Sequence, residues 1–286
     1  MSTLAAYFDV RNRRKRSRLL ANIAGLVILA VMIFPVYWMV ATSFKPPRDI
    51  LRFTPKWVPD PFTLSNFDDA LHRPHFWDAV KNSLIIVAVV VTLSLVIGFL
   101  AALAIARFRF YGRRALIVVI IGVQMLPATA LIIPLYILLA RADQVDRLSG
   151  VIITYITFVL PFTVWTLRGF VMGIPKELEE AAMVDGCTRM GAFVRILLPL
   201  IAPGLVATSI FAFVQAWNEF IFAYVLLSSP EKQTLQVWLA QFTTLRGTAW
   251  GPLMAAATLT SLPVVIFFAI VQRRVAFGLT AGAVRG

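Results

Sequence analysis

The chain is poor in the residue types that build covalent, metal and nucleotide sites. It has 286 residues and one cysteine, Cys187, so an intramolecular disulfide is excluded. Its two histidines, His72 and His75, stand among proline and phenylalanine rather than in a cluster at metal-ligand spacing. They read as surface residues. No glycine-rich loop ending in Lys-Ser or Lys-Thr occurs, so if ATP is used, another subunit hydrolyses it. Charged residues make up 14%, where a soluble domain carries about a quarter.

What is abundant is apolar: 59% of the residues, with a mean hydropathy of +0.82. These residues gather into blocks near the length that crosses a bilayer, roughly 20 residues. Six are read: 19–43, 83–106, 115–140, 150–172, 201–227 and 252–272. The first is too long for a signal-peptide core and lacks the small-residue cleavage pattern. The expected fold is an all-α polytopic membrane protein with six transmembrane helices, spanning 19–272. A basic segment, 1–18, precedes it and a tail, 273–286, follows. The outer loop 44–81 holds five prolines between 46 and 61, so its first part is expected to be irregular. A short amphipathic helix is expected between Asn66 and Lys81.

The net charge of +13 would suggest nucleic acid in a soluble chain. Here the basic residues lie beside the spans, and no nucleic-acid partner is expected. Arg11, Arg13, Arg14, Lys15, Arg16 and Arg18 precede the first span. Arg107, Arg109, Arg113 and Arg114 lie between the second and third, and Arg273, Arg274 and Arg285 follow the last. The positive-inside rule then places both termini in the cytoplasm. Cys187 falls on that side too, where a reduced thiol without a role is expected.

The loop 173–200 is polar and helix-forming between two apolar spans. Pro175 suits a first helical turn, and Glu177, Glu179 and Glu180 suit its positive dipole end. Gly186 is a natural stop. A second short helix is expected over about 189–197, running to Pro199. Acid at 177, 179, 180 and 185 favours a helix set into a partner's groove. A helix resting on lipid, the other reading, is usually basic.

Glu180-Ala181-Ala182, three residues, Gly186, nine residues, then Ile196-Leu197-Leu198-Pro199 resembles the "EAA" signature of ABC-importer permeases, with every spacing intact. Trp217-Asn218-Glu219-Phe220, Ser43-Phe44-Lys45, Ile133-Pro134-Leu135-Tyr136, Gln233-Thr234-Leu235 and the tail 278–286 resemble carbohydrate permeases of the maltose type. The chain looks like the shorter, six-helix permease subunit. It departs from the family's pattern in the turn 140–148. The resemblance implies a type I ABC-importer permease fold, localised to the cell membrane. It implies a second, distinct permease, two ATPase subunits that bind ATP and Mg, and an extracytoplasmic sugar-binding protein. The chain itself would be no enzyme and bind no cofactor. Glu180, Ala181, Ala182, Asp185, Gly186, Ile196, Leu198 and Pro199 would form the coupling helix region seated in an ATPase groove.

Pro127 and Pro134 in span three and Pro161 in span four are expected to bend or break their helices. A packing kink and a path through the bundle are both open readings of these prolines. Span five carries Thr208, Phe211, Gln215, Asn218 and Phe222 at helical spacing, with Glu219 beside them. Such groups usually face a bundle interior or a cavity. Phe213, Trp217, Phe220 and Tyr224 form an aromatic stripe. Amides and rings suit a sugar, which combines hydroxyls with apolar C–H faces. Gln215, Asn218, Glu219, Trp217, Gln124, Tyr155 and Asn82 are the candidate path residues. The stripes can equally pack against lipid, another helix or a partner permease.

A phosphate-bearing solute such as glycerol phosphate would need paired basic residues inside the spans. None of the six spans has an interior Lys or Arg by this reading. A polytopic membrane enzyme would need a nucleophile–base pair or paired carboxylates, and Glu219 is the lone carboxylate within a span. A secondary transporter would show internal repeats and more intramembrane ions.

Overall fold

The computed structural model describes residues 2–245 and 247–283, with side chains over 18–245 and 247–272. The side chains of the basic residues before Arg18, and of the tail from Arg273, lie outside the described residues. Helices dominate: α1 Ser2–Ser43, α2 Pro47–Ile50, α3 Ser65–Leu71, α4 Phe76–Arg107, α5 Arg113–Gln124, α6 Ile132–Arg141 and α7 Leu148–Gly173. They continue with α8 Glu177–Val184, α9 Arg189–Ala192, α10 Leu198–Asn218, α11 Ile221–Leu226, α12 Leu235–Ala240 and α13 Trp250–Ala283. A two-stranded antiparallel ribbon, β1 Thr243–Thr244 and β2 Gly247–Thr248, precedes α13.

Among the described residues, five helical stretches are long and apolar enough to cross a membrane: Arg18–Ser43, Phe76–Arg107, Leu148–Gly173, Arg189–Asn218 and Trp250–Gln272. The pair Arg113–Gln124 and Ala128–Arg141, bent by 99°, makes a sixth when taken together as one broken span. The break falls at Pro127, because the residue before a proline disfavours helix and the proline has no N–H to give. Pro134 sits in the first turn of α6, where that N–H is not needed. α7 passes through Pro161 without interruption.

The chain divides into two units. The first comprises Met1–His72 and Phe242–Leu259. Its segment after α1 is tied down by Asn66, whose Nδ2 donates to the carbonyls of Ser43 (2.9 Å) and Lys45 (2.8 Å). Lys45 is buried, its ammonium 3.9 Å from the Trp38 ring centre. Burial, opposed by the charge of Asp49, lowers its pKa below the ordinary lysine value. Trp57 packs against Phe34 and Trp38, and its carbonyl accepts from Tyr37 Oη at 2.6 Å. The proline-rich stretch is irregular apart from the single turn α2. The expected helix after Asn66 is shorter than predicted: α3 stops at Leu71, and His75, at φ 62°, separates it from α4. His72 and His75 are exposed.

The second unit comprises Arg73–Gln241 and Thr260–Gly286. Here α4, α7 and α10 pack as a three-helix core. Small residues set their closeness, as usual where helices meet without a hydrophobic drive from water. A Cβ on Gly98 of α4 would lie 2.5 Å from Thr163 Cγ2 on α7. One on Gly204 of α10 would lie 2.5 Å from the Phe170 ring of α7. Near one end of the trio, Phe99, Ala102, Ala106, Leu167, Val171 and Ile201 form a closed apolar cluster.

The fifth span differs from the expected continuous helix over 201–227. α10 stops at Asn218, Glu219 is extended at ψ 127°, and α11 starts at Ile221. At its other end there is no separate helix ending at Pro199. α9 runs on through a π-helical turn, Phe193–Leu197, directly into α10. That turn shifts the hydrogen-bond register (Leu198 N–H reaches Phe193 O) just where Pro199 cannot donate.

Candidate functional site

Five of the seven predicted path residues line one cavity. Gln124 comes from the broken end of α5, Tyr155 from α7, and Gln215, Asn218 and Glu219 from the end of α10. The cavity measures about 350 Å³ and is completed by Thr129, Phe158, Phe222 and small apolar neighbours. Gln215 and Asn218 share a helical face because they are three residues apart. Asn218 Nδ2 donates one hydrogen to the Val214 carbonyl at 3.0 Å, which leaves its second N–H and its oxygen for other partners. Phe158 and Phe222 stack with centroids 4.8 Å apart and give the cavity an aromatic wall.

Glu219 has a different part from the one read in the sequence. Its Oε1 accepts from Phe222 N–H at 2.9 Å and its Oε2 from Ala223 N–H at 3.2 Å. It caps α11 as a side-chain acceptor at a helix start does. Its backbone carbonyl accepts from Tyr155 Oη at 3.3 Å. The carboxylate is therefore held by backbone at the cavity wall.

Trp217 and Asn82 do not belong to the cavity. Trp217 is two residues from Gln215, about 200° round the helix. It is buried against Phe213, which stacks on Phe267 at 4.2 Å. Asn82 is buried, with Nδ2 donating to the carbonyls of Glu231 (2.9 Å) and Gln233 (3.2 Å). Its neighbour Ser83 accepts from Leu235 N–H at 2.8 Å, so the pair anchors the chain before α12. No lysine or arginine lines the cavity. The expectation of no basic residue within a span needs one amendment. Arg168 sits in the last turns of α7, its guanidinium 5.3 Å from the Trp165 ring centre.

The loop after α7 is a second constellation. Its helix α8 ends in a paired-carbonyl stop: Gly186 N–H reaches Met183 O at 3.1 Å and Cys187 N–H reaches Ala182 O at 2.9 Å. Gly186 makes this possible at φ +89°. Thr188 caps α9 by accepting from Gly191 N–H at 3.1 Å. Glu180, Ala181, Asp185, Gly186 and Pro199 are exposed, Ile196 and Leu198 are half-buried, and Ala182 faces inward. Val184 and Met190, absent from the sequence reading, are exposed apolar residues flanking Gly186. Glu179 is not free for a partner, because it pairs with Arg107 at 2.7 Å. A side-chain pair so distant in sequence leaves no local signature.

The turn 141–147, where the family pattern fails, is pinned by Asp146. At φ 57° its carboxylate accepts from the N–H groups of Ser228 and Ser229 (both 2.9 Å), from Ser229 Oγ (2.5 Å) and from Lys232 Nζ (2.8 Å). Burial alone would raise its pKa, but these donors outweigh it and hold the group well below the usual carboxylate range.

Comparison with known proteins shows the family. Residues 94–280 match the family model described as binding-protein-dependent transport system inner membrane component. The diacetylchitobiose uptake system permease protein DasC of Streptomyces coelicolor is 46% identical over 269 residues, 94% of this chain and 98% of its own length. The trehalose/maltose transport system permease protein MalG of Thermococcus litoralis is 33% identical, over 94% of this chain and 97% of its own. Among solved structures, a chain of a bacterial ABC transporter involved in import of the acidic polysaccharide alginate superposes with a TM-score of 0.78. It has 22% identity, over 92% of this chain and 97% of that one. The fold is thus the type I permease fold, set in the cell membrane by several spans, and the chain is a transport component rather than an enzyme. By a family match over most of its length and relatives this close, the chain belongs to the inner membrane components of binding-protein-dependent transport systems.

Proposed function

We propose that the chain forms half of the translocation path of an ATP-driven carbohydrate importer. The supporting observation is the cavity in which the amides of Gln124 and Gln215 and the Asn218 oxygen stand beside the stacked rings of Phe158 and Phe222. Its volume falls in the range of small-molecule sites, roughly 300–1,000 Å³. Neutral donors and acceptors beside an aromatic wall match hydroxyls and apolar C–H faces. A lining without Lys or Arg favours a neutral solute over a phosphate-bearing one such as glycerol phosphate. The printed names of DasC and MalG, both sugar permeases, point the same way.

In this reading the 177–199 loop seats in a groove of one of two ATPase subunits, which bind ATP and Mg. Glu180, Ala181, Asp185 and Gly186 form the seated surface with Val184 and Met190. Ala182, Ile196, Leu198 and Pro199 shape the loop from behind. A distinct second permease completes the path, an extracytoplasmic binding protein delivers the sugar, and both termini face the cytoplasm.

The test is uptake by the assembled complex carrying Gln215→Leu and Asn218→Leu. Loss of one or two solute hydrogen bonds, about 0.5–1.5 kcal/mol each, should lower uptake by roughly threefold to a hundredfold at sub-saturating sugar while assembly persists. Full uptake in the double variant removes the cavity from the path.

A further inference from the structure

We propose that Arg107 locks the α8 loop to the three-helix core, so that a push on the loop moves α4, α7 and α10 together. The proposal rests on the reading of 177–199 as the element seated on an ATPase subunit.

Arg107 is the last residue of α4, and its side chain is 10% exposed. Its Nη2 lies 2.7 Å from Glu179 Oε1 in the first turn of α8. The same nitrogen donates to the carbonyl of Ile174, just past α7, at 3.0 Å. One guanidinium thus touches the end of α4, the exit of α7 and the start of α8. Both partners suit a cation: a carbonyl at the negative end of α7 and a carboxylate. Beneath it lies the apolar cluster of α4, α7 and α10, against which Ile174 and Phe193 pack.

Ala182 is the one side chain that α8 itself buries. A cavity of about 480 Å³ opens between α8, α9 and the end of α4, with Arg107, Lys176, Glu179, Glu180 and Arg189 on its walls. Across that gap the ion pair ties α8 to α4, while the later part of the loop is held by Phe193 stacked on Phe99. Removing it leaves the apolar cluster intact, so the helices stay folded while the loop's orientation loosens. Arg107 is therefore a positioning residue for coupling rather than a contact for solute or ATPase.

The experiment measures solute molecules carried per ATP hydrolysed by the complete complex in lipid vesicles, alongside the yield of co-purified ATPase subunits. Arg107→Gln and Glu179→Gln should each lower that ratio by roughly fivefold or more, the scale of an ordinary coupling energy, with assembly yield unchanged. The reciprocal exchange Arg107→Glu with Glu179→Arg should recover most of it, and Arg107→Lys should retain most of it. An unchanged ratio in the neutral variants, or no recovery in the exchange, overturns the proposal. So does loss of assembly in Arg107→Lys, which keeps the charge and would mark the site as purely structural. Glu180→Arg serves as the reference. If it uncouples and Arg107→Gln does not, the lock alone fails; if Glu180→Arg also leaves the ratio unchanged, the assignment of the loop fails with it.

Discussion

Replacing Glu219 by alanine separates a structural carboxylate from a solute-binding one. In the structure both oxygens accept from backbone N–H groups at the start of α11, at 2.9 and 3.2 Å. Phe222 and Ala223, which carry those groups, are 4% and 0% exposed, so water cannot replace the lost acceptors. Losing a helix cap costs about 0.5–2 kcal/mol, and leaving two desolvated donors unpaired raises the total to roughly 2–4 kcal/mol. For a domain of this size that corresponds to a fall on the order of 5–15 °C in unfolding temperature. Glu219→Gln keeps one acceptor oxygen and should lose about half as much. The assay is thermal unfolding of the purified complex in lipid nanodiscs, paired with uptake in vesicles. Uptake should fall in step with stability, and alanine should be worse than glutamine. If both variants lose uptake equally while the unfolding temperature stays at the wild-type value, the carboxylate works on the solute and the capping argument is refuted.

Asp146→Asn should weaken the turn 141–147 by about 1–2 kcal/mol, because its donors lose a charged acceptor at a partly exposed site. The folded pKa of Asp146 is depressed, so its contribution is complete above the ordinary carboxylate value of 3.8 and lost as pH falls below it. Unfolding of wild type and Asp146→Asn should therefore converge in acid, and a constant gap down to pH 2 would contradict this. Gly98→Ala should destabilise by about 1–3 kcal/mol, since Thr163 is fully buried and cannot yield. Gly169→Ala, with nothing within 4 Å, should not, and equal effects in unfolding scans would remove close approach as the cause.

The six spans were legible because blocks of some 20 apolar residues have few other uses. The stop at Gly186 was legible because a glycine after a run of good helix formers satisfies carbonyls in a way other residues rarely can. Gln215 and Asn218 stood out as amides within an apolar run. What escaped depends on competition between neighbouring groups. Residues 201–227 read as one helix until Glu219 turns its carboxylate on the backbone ahead of it, a local bond that competes with helix continuation. Pro199 read as a terminator until the π-helical turn absorbed its missing donor. Pro127 and Pro134 look equivalent in sequence, and position within a helical turn decides that one breaks the span while the other is tolerated. The anchoring of Asn82 and the packing of Trp217 are set by residues far along the chain, which a span-by-span reading does not bring together.

The break in the third span has a consequence for how the cavity can be altered. The carbonyls of Gly122 and Val123 at the end of α5 accept from the N–H groups of Met125 (3.1 Å) and Leu126 (3.3 Å), a tightened turn that closes the helix before Pro127. The residues around the break, Gln124, Leu126, Ala128 and Thr129, all line the cavity. The turn that interrupts the helix is therefore also a wall of the cavity. In an ordinary protein core, plugging a void with methyl groups tends to stabilise. Here the same change would press on that turn and strain the bend at Pro127. The volume of the cavity and the geometry of the broken helix are one property, and neither can be altered alone.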